Sequence, residues 1–76
     1  MSSTNAIRNP YALSSAALAC VEETGTVPAL DVNAIREGRQ SAESLLVACL
    51  DGADEDREEG WRDYVSAVAL AAGVQS

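Results

Sequence analysis

Asp54, Asp56 and Glu58 stand at alternate positions in the stretch DGADEDREEG, the spacing of the first three oxygen ligands of a calcium loop. Two later positions decide against that chemistry. The sixth place of such a loop calls for glycine and holds Glu59, and the twelfth calls for a bidentate glutamate and holds Val65. An acidic helix start accounts for the same carboxylates, so no metal ligand is assigned here. Cys20 and Cys49 form no CxxC pair and have no histidine to join them in a zinc site. They read as small apolar core residues in a reducing cytoplasm, although a disulfide between neighbouring helices stays open because spacing does not settle it.

Catalysis finds little to work with. The chain has no histidine, and its five basic residues are all arginine, Arg8, Arg36, Arg39, Arg57 and Arg62. General bases and the activators of Ser or Cys nucleophiles are usually His or Lys, and both are missing. Paired carboxylates remain, but a glycosidase-like pair must line a substrate cleft that so short a chain can hardly form. Gly38, Gly52 and Gly60 stand alone, which excludes a glycine-rich phosphate loop. No catalytic or cofactor-binding residue is therefore named, and an enzyme is not expected.

Charge is the feature that remains. The net charge is −7 over 76 residues. Gripping phosphates requires a cationic patch, and the one arginine pair at helical spacing, Arg36 with Arg39, sits beside Glu37 and Glu43. Direct nucleic-acid binding is disfavoured, as is adhesion to anionic lipid, whereas a larger protein with a basic surface would be attracted. The acidity is concentrated. Asp51, Asp54, Glu55, Asp56, Glu58, Glu59 and Asp63 face only Arg57 and Arg62 within residues 51–63, a local charge of −5. Together with the adjoining Trp61 these seven carboxylates are the candidate partner-binding residues. Trp61 would be a binding anchor in that reading, although its place in the apolar period of the following helix also fits core packing.

The elements that must position these residues are all helical, with no β-alternation and no internal repeat. Residues 1–9 read as a flexible lead-in, residues 10–73 as one helical domain, and residues 74–76 as a frayed end. Asn9 and Pro10 suggest an N-cap followed by proline at the first helical position, giving a first helix from Pro10 to Thr24 that Gly25 stops. Arg8 followed by the apolar run to Cys20 has a trace of a lipoprotein signal, but Asn9, Pro10, Ser14 and Ser15 interrupt it. An ordinary first helix explains these residues better.

Asp31 is the expected N-cap of the second helix, with Pro28 as an earlier start. Ile35, Gly38, Ala42, Leu45, Leu46 and Cys49 then fall on one helical face. Gly38 inside that period either lets another helix approach closely, the reading adopted here, or breaks the element in two. The third helix starts at Asp54 or Asp56, repeats through Trp61, Tyr64, Val65, Val68, Ala69 and Ala72, and closes at Gly73. The expected fold is all-α, a compact three-helix antiparallel bundle, or four short helices if Gly38 is a break. No apolar run approaches the about 20 residues of a membrane span.

In size, charge and helicity the chain resembles the small acidic proteins by which phages block bacterial nucleases, anti-CRISPR proteins and DNA mimics among them. It also resembles acidic helical immunity proteins that neutralise toxic nucleases. That resemblance implies stoichiometric occlusion of a basic, nucleic-acid-binding site on a larger protein, in the host cytoplasm if the chain is phage-encoded. The alternative expectation is a homo-oligomeric assembly module, most simply a homodimer, in which Leu13, Leu18, Leu70 and the alanine-rich strips form the subunit contact and the acids only keep the protein soluble.

Overall fold

A computed structural model describes residues 10–73. The lead-in assigned to residues 1–9, Asn9 with it, and the frayed end at 74–76 lie outside the described residues. Four helices follow in order: α1 Ser15–Thr24, α2 Pro28–Arg36, α3 Ala42–Leu50 and α4 Glu55–Ala71. Among the described residues there is no strand.

The first helix begins later than Pro10. Ala12 adopts a positive φ of 57°, a conformation that a right-handed helix cannot pass through, so Pro10 and Tyr11 belong to a turn. Ser14 is the true N-cap, with extended backbone and a hydroxyl that accepts from the Ala17 amide at 3.2 Å. Leu13 and Leu18 hold the two positions of a hydrophobic staple around that cap, and Leu13 is only 6% exposed. Gly25 ends α1 as expected, in the left-handed region with φ 74°, its amide and that of Thr26 both donating to the Val21 carbonyl.

Pro28 opens α2, which places Asp31 inside the first turn rather than at the cap. The long second helix of the sequence is two elements. Gly38 has φ 79° and open space where a Cβ would lie, so it is a helix exit and not a point of close approach. The amide of Gly38 donates to Ile35 and that of Arg39 to Ala34, the paired bonds of a Schellman motif. Ser41 then caps α3 by accepting from the Ser44 amide at 3.1 Å. A glycine exit followed three positions later by a serine cap separates α2 from α3.

Asp54 occupies the N-cap of α4 and the acids Glu55, Asp56 and Glu58 fill its first turn, where they complement the helix dipole. The Asp54 side chain makes no capping hydrogen bond, so its contribution is electrostatic. α4 is the longest element and packs against each of the other three, most extensively against α1. Tyr64 and Val68 of α4 and Ala17 of α1 are wholly buried, joined by Cys20, Val32, Ile35, Leu45, Trp61 and Val65. Each large apolar side chain so buried contributes about 1.5–3 kcal/mol. No helix of the described residues is long and apolar enough to cross a membrane.

Gly60 makes the α1–α4 packing possible. A Cβ on this residue would meet the Ala16 carbonyl oxygen at 2.6 Å and Cys20 Sγ at 2.8 Å. The close approach that the sequence pattern suggested at Gly38 is found at Gly60 instead.

Candidate functional site

The seven carboxylates of the acidic run are all exposed. Asp51 and Asp54 sit at the two ends of the short connection between α3 and α4, and the others lie on the first half of α4. Residues 55–59, inside the stretch whose spacing imitated a calcium loop, are wound into helix. Among the described residues no group of three or more His, Cys, Asp or Glu side chains is arranged to hold a metal.

The two arginines of the run have different surroundings. Arg57 turns away to α1 and binds Glu23 with both ends of its guanidinium, Nε to Oε1 at 3.1 Å and Nη2 to Oε2 at 2.8 Å. This pairing holds the Glu23 carboxyl below its usual range and raises the Arg57 guanidinium, first through the hydrogen bonds and then through charge. Arg57 is therefore committed to a carboxylate outside the run. Arg62 makes no ion pair among the described residues, where the pairs are Arg57 with Glu23 and Arg39 with Glu37. Asp63 is partly engaged, accepting from the Ser14 hydroxyl at 2.9 Å, so that one serine both caps α1 and ties it to α4.

Trp61 does not lie on the surface with the acids. It is 7% exposed, and its ring meets Tyr64 edge-on at 5.4 Å and 89°. Its side chain packs in the core, and what little of it reaches solvent borders shallow clefts beside Thr24, Cys49 and Asp51. The Tyr64 hydroxyl crosses to α2 and donates to the Asp31 carboxylate. Burial, followed by this bond, raises the Tyr64 hydroxyl far above the ordinary phenol range. Asp31 thus serves as an acceptor for the core tyrosine.

Both cysteines are free. Cys20 is buried, donates weakly to the Arg57 carbonyl at 3.7 Å, and is raised above the ordinary thiol range by burial. Cys49 is half-buried and pushed up to about 11, again chiefly by burial. Neither carries the thiolate that nucleophilic or redox chemistry requires near neutral pH.

Sequence patterning missed one feature of this surface. Between α3 and α4 runs a groove of about 340 Å³ walled by Leu46, Val65, Ala69 and Leu70, with Arg62 and Ser66 along its α4 side. Leu70 is 74% exposed, whereas Leu13 is buried and Leu18 is partly buried. Of the three leucines expected to form a subunit contact, Leu70 is the exposed one. The signal was present in the sequence: Leu70 falls between the buried positions of the α4 period, where a polar residue is the norm.

No family model matches the chain, and no match was found among the curated proteins or the solved structures, so the surface has to be read from its own geometry.

Proposed function

We propose that this chain is a small protein-binding inhibitor that occludes a basic, nucleic-acid-binding site on a larger protein, one inhibitor to one site, in the manner of phage anti-CRISPR proteins and other nuclease inhibitors. The observation that carries the reading is the excess of exposed acids in residues 51–63, where Arg62 is the one cation not paired to a carboxylate outside the run among the described residues. Seven exposed carboxylates occupy the α3–α4 connection and the start of α4, while Arg57 is drawn off to Glu23. A face of this kind offers carboxylates where a partner expects phosphates, accelerates encounter and selects for basic surfaces. The test replaces Asp54, Glu55, Asp56, Glu58 and Glu59 by their amides and compares capture of nucleic-acid-binding proteins from a host lysate. Capture by the wild-type protein alone, weakened by salt and competed by added DNA, supports the proposal. Equal capture by both proteins refutes it.

The second reading, a homo-oligomeric assembly module, is favoured by one observation. α3 turns an apolar surface outward, with Val47 66% exposed. Sedimentation at micromolar concentration decides it, since a monomer there removes its support.

A further inference from the structure

An acidic face supplies encounter rate and specificity, but tight occlusion also needs apolar anchors that exclude water. Trp61, the aromatic nearest the acids, is buried in the core and offers almost no surface. The α3–α4 groove does offer one. It lies on the same side of α4 as three of the acids, because Glu55, Glu58, Glu59, Arg62, Ser66 and Leu70 fall on a single stripe, with Arg62 and Ser66 between the acids and the apolar wall. The stripe begins with three acids, passes through Arg62 and Ser66, and ends on Leu70, with about 16 Å of helix between Glu59 and Leu70. Arg62 stands at the junction, one turn after Glu58 and Glu59, and makes no ion pair with either among the described residues.

We infer that this groove anchors a bipartite segment of the partner, with apolar side chains seated on Leu46, Val65, Ala69 and Leu70 and Lys or Arg side chains lying over Glu55, Glu58 and Glu59. The inference rests on the inhibitor reading and adds the partner's chemistry and its direction along α4. Charge complementarity selects this occupant. A second copy of the chain would bring a further net charge of −7 to a face that is already acidic, whereas a basic segment meets it with opposite charge.

The test uses two fluorescein-labelled synthetic helices of identical composition, one with its leucines and lysines in separate halves and one with them interleaved. Binding is followed by anisotropy over a series of salt concentrations. The two-block helix binds more tightly than the interleaved one. Leu70→Ser and Ala69→Gln each weaken it by about tenfold, the scale set by losing one buried leucine contact, and leave the salt slope unchanged. Replacing Glu55, Glu58 and Glu59 by Gln flattens the salt slope. Both groove positions are exposed or half-exposed, so unchanged thermal unfolding establishes that these variants are folded. The inference is overturned if the two helices bind alike, if the groove variants bind as wild type, or if sedimentation shows a dimer that Leu70→Ser dissociates. Groove variants that bind normally while the acidic variants lose lysate capture sink this inference alone. Capture that survives the acidic replacements sinks the inhibitor reading itself.

Discussion

The space a side chain would occupy at Gly60 is already taken by the carbonyl oxygen of Ala16, 2.6 Å from where a Cβ would stand. Helices α1 and α4 therefore meet backbone to backbone at this point, and Cys20 Sγ would lie 2.8 Å from the same Cβ. Such an approach lets α4, which carries the acidic stripe, be clamped by the shortest possible lever to the element that holds Glu23 and Ser14. The position of the surface is thus set by a residue with no side chain.

Gly60→Ala puts two effects in opposition. Alanine gains about 1 kcal/mol in helix propensity, but forcing a methyl group against a backbone carbonyl costs about 1–3 kcal/mol. A carbonyl inside a helix cannot rotate away as the end of a flexible side chain can. Urea unfolding should show a net loss for Gly60→Ala, a larger one for Gly60→Val, and only partial recovery when Cys20→Ala is added to Gly60→Ala. A Gly60→Ala protein stabilised by the full helix-propensity gain of about 1 kcal/mol would mean that the two helices are not this close.

Gly38→Ala asks whether α2 and α3 are separate. In a helix running through this position alanine would stabilise by about 1 kcal/mol. In the left-handed conformation at φ 79° the same substitution costs about 1–2 kcal/mol. Chemical denaturation should return the loss, and a gain would restore the continuous second helix.

These two glycines show what patterning could and could not reach. The helical character, the apolar faces around Ile35 and Val65, the Gly25 stop and a start of α4 at Asp54 or Asp56 follow from local rules about caps and periodicity. Apolar period alone does not reveal the turn at Gly38, because it bridges a turn whenever the residues beyond it resume in phase. The Ser41 cap three positions on is the clue that outweighs the period. Gly60 was passed over because close approach is a property of two helices, and no single stretch of sequence contains both. The same reason applies to the groove, which exists only where α3 meets α4. The acidic residues were legible as a set, but the withdrawal of Arg57 to Glu23 joins positions too far apart in the chain for any motif to reveal.

Alkaline pH should unfold the protein, and the direction follows from three raised groups. Cys20, Cys49 and Tyr64 all hold their protons more tightly in the folded state, Cys49 up to about 11. Above their unfolded values, about 8.5 for cysteine and about 10 for tyrosine, the unfolded chain releases protons that the folded chain keeps. Stability present below pH of about 8.5 is then lost progressively as pH rises. Tyr64→Phe removes the tyrosine share, so its stability should fall less between neutral pH and strongly alkaline pH. At neutral pH the same variant loses the hydrogen bond to Asp31, at a cost of about 1–3 kcal/mol. Unfolding curves collected across pH for both proteins separate the two effects.

The free thiols provide a chemical check on the packing. Cys20 is buried beneath α4 and Cys49 is half-buried, and both are raised above the ordinary thiol range. Because the thiolate is the reacting species, a colorimetric disulfide reagent at neutral pH should label the native protein slowly, Cys49 before Cys20. Full denaturation should release both at the rate of an unstructured cysteine. Gly60→Ala, which presses directly on Cys20 Sγ and loosens the α1–α4 contact, should accelerate labelling of Cys20 more than that of Cys49. Equal acceleration of the two would mean that the substitution acts through global unfolding, and that the contact between Gly60 and α1 has no local role in shielding the thiol.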